Sequence, residues 1–506
     1  MNKSSGIIFV VILIVAMMTA CKGKRSGTLD SLSSLESLKN SAYTVRLDSI
    51  RHLIRTYMLA ERDTTVCDSV LTIHYWKDNE LFWLDDISSN RIDSMLYWLE
   101  NVSRHGIRPE LFPTCIIKEQ LQRIRSLKLE EGETLNKLLA SIEYRLTKSY
   151  LTYVSGLKFG FLPPEYKWPD SISSLRLKRC DKLFVKQALE ILHTNPYSAF
   201  HWAQPRTSLY LHMQKELESI EALTRTDSLE QCRNALLVNL ERARWQYVQD
   251  KGKKYVEVNV AAFMLQAVDA VADTLLEMRV CCGSEKNKTP LLDSRISYME
   301  LNPYWNVPQS IIKKEIIPSY RKDTTYFTRN HMKVYNKEGV QINPHAIKWS
   351  NYVDAIVPYA IKQDNKEGNS LGRIIFRFPN KYDVYLHDTP SRSAFNRTSR
   401  AISHGCIRLQ DALGFSFFLL KKPDELLEDR IRIAMDIPPV SDKGKKLMKS
   451  EAYRELKHYS LPERIPLFID YKTVYLSSKG KLSYCKDVYH YDAALLSNLE
   501  YFKLKP

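Results

Sequence analysis

The chain has 506 residues, enough for two to four domains at roughly 150 residues each. Hydrophobic residues make up 44% and charged residues 26%, which excludes a mainly disordered or fibrous protein, and a lone long apolar run excludes a polytopic membrane protein. Lys and Arg exceed Asp and Glu by 74 − 58 = 16, a balance suited to an anionic partner such as nucleic acid, a membrane surface or a cell-wall polymer.

The apolar run, Ile7 to Met18, follows Lys3. It is short for a bilayer span but matches the core of a signal peptide. With Thr19, Ala20 and Cys21 it resembles a bacterial lipoprotein signal, in which residues 1–20 are removed and Cys21 is lipidated. Met18 stands where Leu is usual, and a plain secretory signal with an incidental Cys is the alternative. Removing residues 1–20 takes away Lys3 alone and leaves 16 − 1 = 15 positive charges. Residues 21–44 then read as the lipidated Cys and a flexible tether rich in Ser, Lys and Gly. The expectation is a protein held to a membrane on the periplasmic side of the cell envelope, the outer membrane favoured over the inner. Nucleic acid is set aside as a partner.

From 45 to 250 the pattern is helical. Ile92, Met95, Leu96, Leu99 and Val102 recur at helix spacing before Gly106 and Pro109. Leu135, Leu138, Leu139, Ile142 and Leu146 repeat the pattern ahead of Gly160 and Pro163–Pro164, and Leu229, Cys232, Leu236, Leu240 and Ala243 form a third stripe. Such stripes are core, so this stretch is a helical scaffold domain with no chemistry of its own.

The character changes near Lys251-Gly252-Lys253. Tyr255–Val260, Glu277–Cys281, Gly372–Phe378 and Tyr382–His387 read as strands, with a turn at Pro379–Asn380. Asp411 is placed to cap a helix running to Lys422, ended by Pro423. Residues 251–437 are therefore a mostly β domain and the fold class is α+β. Residues 438–506 begin Pro-rich, then show a strand at Thr473–Leu476, a Ser-Lys-Gly turn and a terminal helix, and should pack on the β domain.

Nine cysteines are present, with no CxxC pair to suggest a zinc ribbon. Without Cys21 and a reactive Cys406 the remainder is odd, so a fully paired disulfide framework is not expected. The informative segment is His387-Asp388-Thr389-Pro390 followed by Ser403-His404-Gly405-Cys406-Ile407-Arg408. A thiol attacks as thiolate, and a nearby imidazole that takes its proton makes it a nucleophile. From spacing alone either His387 or His404 could be that base. Gly405 permits close backbone approach, so amides at Gly405 and Cys406 could form an oxyanion hole. Two other readings stand beside this one. His387, His404 and Cys406 could be an open zinc site, although no carboxylate base accompanies them. Ser310-Ile311-Ile312-Lys313 fits an SxxK serine nucleophile, although no Lys-Thr-Gly follows.

The ordered Ser-His-Gly-Cys, with fifteen residues between His387 and Ser403, resembles the L,D-transpeptidases of bacterial cell-wall synthesis. Asn239-Leu240-Glu241-Arg242, Arg244-Trp245, Lys288-Thr289-Pro290, Asn302-Pro303-Tyr304-Trp305-Asn306-Val307-Pro308, Pro466, Tyr471 and Thr473 are similar to the long, multi-domain branch of that family. The resemblance implies a catalytic domain at 251–437 with a capping segment at about 305–370. It implies Cys406 as nucleophile and His387 as base, with Gly405, His404 and Ser403 supporting the site and Arg408 holding it or a substrate carboxylate. The substrate would be a peptidoglycan tetrapeptide stem, and the product a 3→3 cross-link. Carbapenems would acylate the same Cys, and neither metal nor other cofactor is called for. Water as acceptor, giving an L,D-carboxypeptidase, and a non-catalytic wall-binding lipoprotein are the competitors. The small wall-binding module that long members often carry is not recognisable between 165 and 230.

Overall fold

The computed structural model describes residues 41–501 other than 62–64, 78–79, 85–89, 163–174, 195, 225, 353–354, 366, 452 and 478–479. The signal segment, Cys21, the tether up to residue 40 and Pro163–Pro164 lie outside the described residues, while Ser41–Tyr43 at the tether's end form a short 3-10 helix. The chain forms two compact units.

The first unit, residues up to 161 with 180–206, is helical. Its axis is the helix Leu135–Phe159, capped by Thr134, whose Oγ1 accepts the Lys137 N–H at 3.3 Å. The predicted stripe Leu135, Leu138, Leu139, Ile142 and Leu146 is buried. So is the stripe Ile92, Met95, Leu96 and Leu99 of the helix Asn90–Glu100. A carboxylate lies inside this core. Glu143 accepts the N–H groups of Phe82 at 2.7 Å and Trp83 at 2.9 Å, and the Tyr75 hydroxyl at 3.1 Å. These three donors are what make its burial tolerable.

The second unit takes in 162–179 and 207–501. Strands begin where the sequence changes near Lys251, but the unit starts earlier in the chain. It includes the helices Ser208–Glu221 and Asp227–Arg244 because their stripe packs on Val474 and Leu482 of the C-terminal segment. The residues quoted from this helix are structural. Asn239 exchanges bonds with Thr473, Nδ2 to Oγ1 at 2.6 Å and Thr473 N–H to Oδ1 at 3.0 Å. Arg242 pairs with Asp492 at 2.5 Å, and Glu241 holds both Arg244 and the Leu162 N–H.

The strands, in chain order, are β1 (Lys254–Asn259), β2 (Met264–Asp269), β3 (Thr274–Gly283), β4 (Leu292–Leu301), β5 (Trp305–Asn306), β6 (Met332–Tyr335), β7 (Gln341–Ile342), β8 (Ala360–Gln363), β9 (Ile374–Arg377), β10 (Leu386–His387), β11 (Ala401–Ser403), β12 (Ile407–Leu409) and β13 (His458–Asp470). The main sheet runs β11-β3-β12-β10-β9-β4-β13-β1-β2, and β2 pairs back on β3, which closes it as a barrel. Inward positions alternate along each strand: Val256 and Val258, Leu265 and Ala267, Leu386, Ile407 and Leu409, Leu467 and Ile469 fill one core. The strand read at Tyr382–His387 shortens to its last two residues, because Asp383 turns the chain with φ +53°. The helix capped by Asp411 is present but ends at Phe418 rather than Lys422. Strand β13 was not predicted, yet it lies between β4 and β1 in the heart of the barrel.

Between β4 and β9 the chain inserts a smaller sheet, ordered β5-β8-β6-β7, with short helices. It has its own core of Ile312, Ile316, Phe327, Val334, Trp349 and Ile361. The capping segment is therefore a packed subdomain as well as a polar surface. Ser310 is exposed within it.

Candidate active site

Strands β10 and β12 are parallel neighbours, with Leu386 opposite Ile407 and His387 opposite Arg408. Because Leu386, Ile407 and Leu409 point into the barrel, His387 and Arg408 project from its outer face. Cys406, two residues before Arg408, shares that face beside Tyr385, whose carbonyl accepts the Ile407 N–H at 3.0 Å. The fold thus brings His387, Cys406 and Arg408 together with Tyr385.

His387 is buried, and its Nδ1 lies 2.6 Å from the Asp388 carbonyl. A carbonyl only accepts, so Nδ1 carries the proton and Nε2 keeps the lone pair. Burial, then the neighbouring Arg408 charge, push the imidazole down from its ordinary value to about 4, against upward pulls from backbone bonds to Asp388 and Leu371. Burial raises the Cys406 thiol, while hydrogen bonds with the backbone and hydroxyl of Tyr385 and the charges of Arg377 and Arg408 oppose the rise. At neutral pH the resting pair is therefore imidazole and thiol, not imidazolium and thiolate.

Asp388 is a positioning residue. One oxygen accepts the Arg373 N–H at 2.9 Å and the other pairs with Arg392 at 2.6 Å. Gly372 makes room for it, since a Cβ there would lie 2.3 Å from Asp388 Oδ2, and its φ is +64°. Gly372→Ala is expected to cost about 1–3 kcal/mol in a denaturant titration and to slow acylation of Cys406 by displacing the carbonyl that holds His387.

The loop before Cys406 is not extended, so the two-residue spacing of His404 and Cys406 does not place them on one face. Gly405 sits at φ +116°, outside ordinary L-residue space, and turns the chain between them. Ser403 Oγ accepts the Gly405 N–H at 3.1 Å and donates to the Cys406 carbonyl at 2.5 Å. The Gly405 amide is thereby engaged in the resting site. Among the described residues no partner is recorded for the Cys406 N–H, which remains available to an oxyanion. The Gly405 carbonyl accepts from Thr289 Oγ1 at 2.9 Å, and Thr289 Oγ1 in turn accepts the Gly283 N–H at 2.8 Å. Tyr489, from the C-terminal segment, takes the Thr289 N–H at 3.0 Å and donates to the Gly283 carbonyl at 2.6 Å.

His404 points elsewhere. It is exposed, and its Nε2 pairs with Glu315 of the inserted subdomain. The three residues considered for zinc do not converge, and no cluster of three or more His, Cys, Asp or Glu suited to a metal occurs among the described residues. Arg408 has no ionic partner among the described residues, and its buried Nε has no hydrogen-bond partner. It leaves a cation facing the site.

Sequence reasoning missed Tyr385, Arg377 and Glu315. The Arg377 guanidinium lies 4.5 Å over the Tyr385 ring and pairs with Glu300 at 3.2 Å. Tyr385 was within reach of the two-residue strand period counted back from His387. Glu315 carried no such signal.

Residues 253–424 match the family model of the L,D-transpeptidase catalytic domain, and residues 70–217 match that of a Scaffold domain. A Haemophilus influenzae protein described as "Putative L,D-transpeptidase" is 30% identical over 237 residues. The match covers 46% of this chain and 44% of that relative, so it spans less than half of the relative's length. An L,D-transpeptidase from Mycobacterium smegmatis aligns over 43% of this chain and 58% of its own, at 13% identity and a TM-score of 0.20. The Ldtfm-avibactam carbamoyl enzyme aligns over 49% and 63%, at 12% identity and a TM-score of 0.19.

Proposed function

We propose that this chain is an L,D-transpeptidase that cross-links peptidoglycan stems through a thioester on Cys406. The observation that carries the reading is the placement of Cys406, immediately ahead of β12, beside the neighbouring strand β10 that carries His387, with His387 Nδ1 given to a carbonyl. In the first step the Cys406 sulfur attacks the carbonyl carbon of the third stem residue, typically diaminopimelate. His387 Nε2 takes the thiol proton, the bond to D-alanine breaks, and the proton passes to the departing amine. In the second step an amine of a neighbouring stem attacks the thioester. The carbon–sulfur bond breaks, and the proton returns to sulfur by way of His387. The Cys406 N–H faces the developing oxyanion. Gly405 and Ser403 shape that turn, and His404 supports it from outside through Glu315. Lipidation at Cys21 would hold the enzyme to a membrane, outer rather than inner, facing the wall.

Arg408 is proposed to pair with a substrate carboxylate. Arg408→Gln should raise KM for stems by roughly 10-fold or more. Because the Arg408 charge helps hold His387 down, the same change should move the acid limb of the rate profile to higher pH. An unchanged acid limb would remove Arg408 from this role.

The test of the proposal is incubation of the protein with disaccharide tetrapeptides and mass analysis of the products. Loss of D-alanine with formation of dimers supports a transpeptidase. Tripeptides without dimers identify water as the acceptor, and unchanged tetrapeptides leave a wall-binding protein. Carbapenems are expected to acylate the same sulfur.

A further inference from the structure

Two thiols outside the active site stand in contact. Cys67 is the second residue of the helix Val66–Lys77, and Cys180 lies just ahead of the helix Lys182–Thr194. Their sulfurs are 4.0 Å apart, although 113 residues separate them in the chain. Both side chains are half-buried, so neither is locked by close packing on every side. A disulfide needs sulfurs about 2.05 Å apart, so the two would approach each other by about 2 Å on oxidation. Among the described residues no other pair of cysteine sulfurs is recorded in contact. Cys281 and Cys282 are adjacent in β3 and project to opposite faces, one against Ala394 and Phe395 and the other into the barrel core. Cys115 is exposed, and Cys406 is required as a thiol.

We propose that Cys67 and Cys180 form a structural disulfide that staples the helical unit when the protein meets an oxidising environment, and that the other described cysteines stay reduced. Its physiological use rests on the export reading, because disulfides persist outside the cytoplasm; its chemistry does not. The oxidant is an external disulfide such as glutathione disulfide. The Cys67 sulfur attacks one of its sulfurs and releases a thiol, and the Cys180 sulfur then attacks the mixed disulfide and releases the second. Two protein thiols and one external disulfide become one protein disulfide and two external thiols, with both protons passing to the released thiols. The hydrogen bond shared with Cys67, then burial, hold Cys180 as the thiol at rest, so Cys67 reacts first, and Cys180 loses its proton as it attacks the mixed disulfide. The bond joins the two ends of a long stretch of chain, the case in which a cross-link most restricts the unfolded state.

The full chain is equilibrated in a glutathione buffer, alkylated, and mapped by mass spectrometry without reduction. Thermal melting is recorded before and after reduction for the wild type and for Cys67→Ser and Cys180→Ser. The expected result is a linked peptide pair containing Cys67 and Cys180, with a melting midpoint about 5 °C or more higher in the oxidised wild type. Neither variant should respond to oxidation. Quantitative alkylation of both cysteines in the oxidised wild type, or a different linked pair, would overturn the proposal. If a variant fails to fold, the wild-type peptide map alone decides.

Discussion

Cys406→Ala is expected to lower the rate of stem cross-linking by roughly 10⁴-fold or more, with little change in the melting temperature. The catalytic loss is large because both acyl-transfer steps are assigned to pass through a thioester on this sulfur. The structural loss is small because Cys406 stands on the outside of the barrel, against the core rather than within it. The loop around it is held by other groups, Ser403, Thr289 and Tyr489, none of which bonds the sulfur. Cross-linking turnover and thermal melting on the same preparation separate the two effects. A variant that retains wild-type turnover would move the chemistry away from Cys406. One that loses turnover only by unfolding would leave the assignment without support.

His387→Ala is expected to slow acylation of Cys406 by roughly 10²–10⁴-fold at neutral pH, the usual contribution of a positioned base. The pH profile carries more information than the rate. In the wild type the acid limb should fall near pH 4, where the buried imidazole gains its proton, instead of near the ordinary histidine value. The same shift has a stability consequence. Between the ordinary value of 6.5 and about 4 the unfolded chain holds a proton on this histidine that the folded chain does not. Stability therefore rises with pH across that window, and is lost as pH falls through it, by about 3 kcal/mol in total. Denaturant titrations at pH 7 and pH 4, with His387→Gln alongside, isolate this contribution. An acid limb centred near 6.5 would show that the imidazole is hydrated and not buried beside Arg408.

Much of this arrangement is readable from the amino-acid order, and the unread part has physical causes. The stripes of Ile92–Leu99 and Leu135–Leu146 are long and strictly periodic, so they announce helices and their buried faces. Ser403-His404-Gly405-Cys406 and the spaced His387 pick out the groups proposed to react, because thiol chemistry needs few residues in a fixed order. The choice between His387 and His404 was not legible from spacing and came only with the resemblance. It depends on the left-handed turn at Gly405, which sends His404 toward Glu315. Strand β13 was hidden for another reason. Pro462, Glu463 and Arg464 break its alternation, and the register with β4 shifts between Ser460 and Ile465. The bracing of the Gly405 turn by Tyr489 joins residues distant in sequence, which local patterns cannot report. Asn239, Arg242 and Thr473 were noticed as part of a resemblance, but only the fold assigns them to one hydrogen-bonded junction with Asp492.

The most direct test of the central claim is the intact mass of the purified protein after incubation with a carbapenem, followed by peptide mapping. One adduct is expected, on Cys406, absent in Cys406→Ala and much reduced in His387→Ala. A folded protein that gains no adduct, or carries it on another residue, would contradict an activated Cys406 and leave the Ser403–Cys406 loop as a binding surface without chemistry.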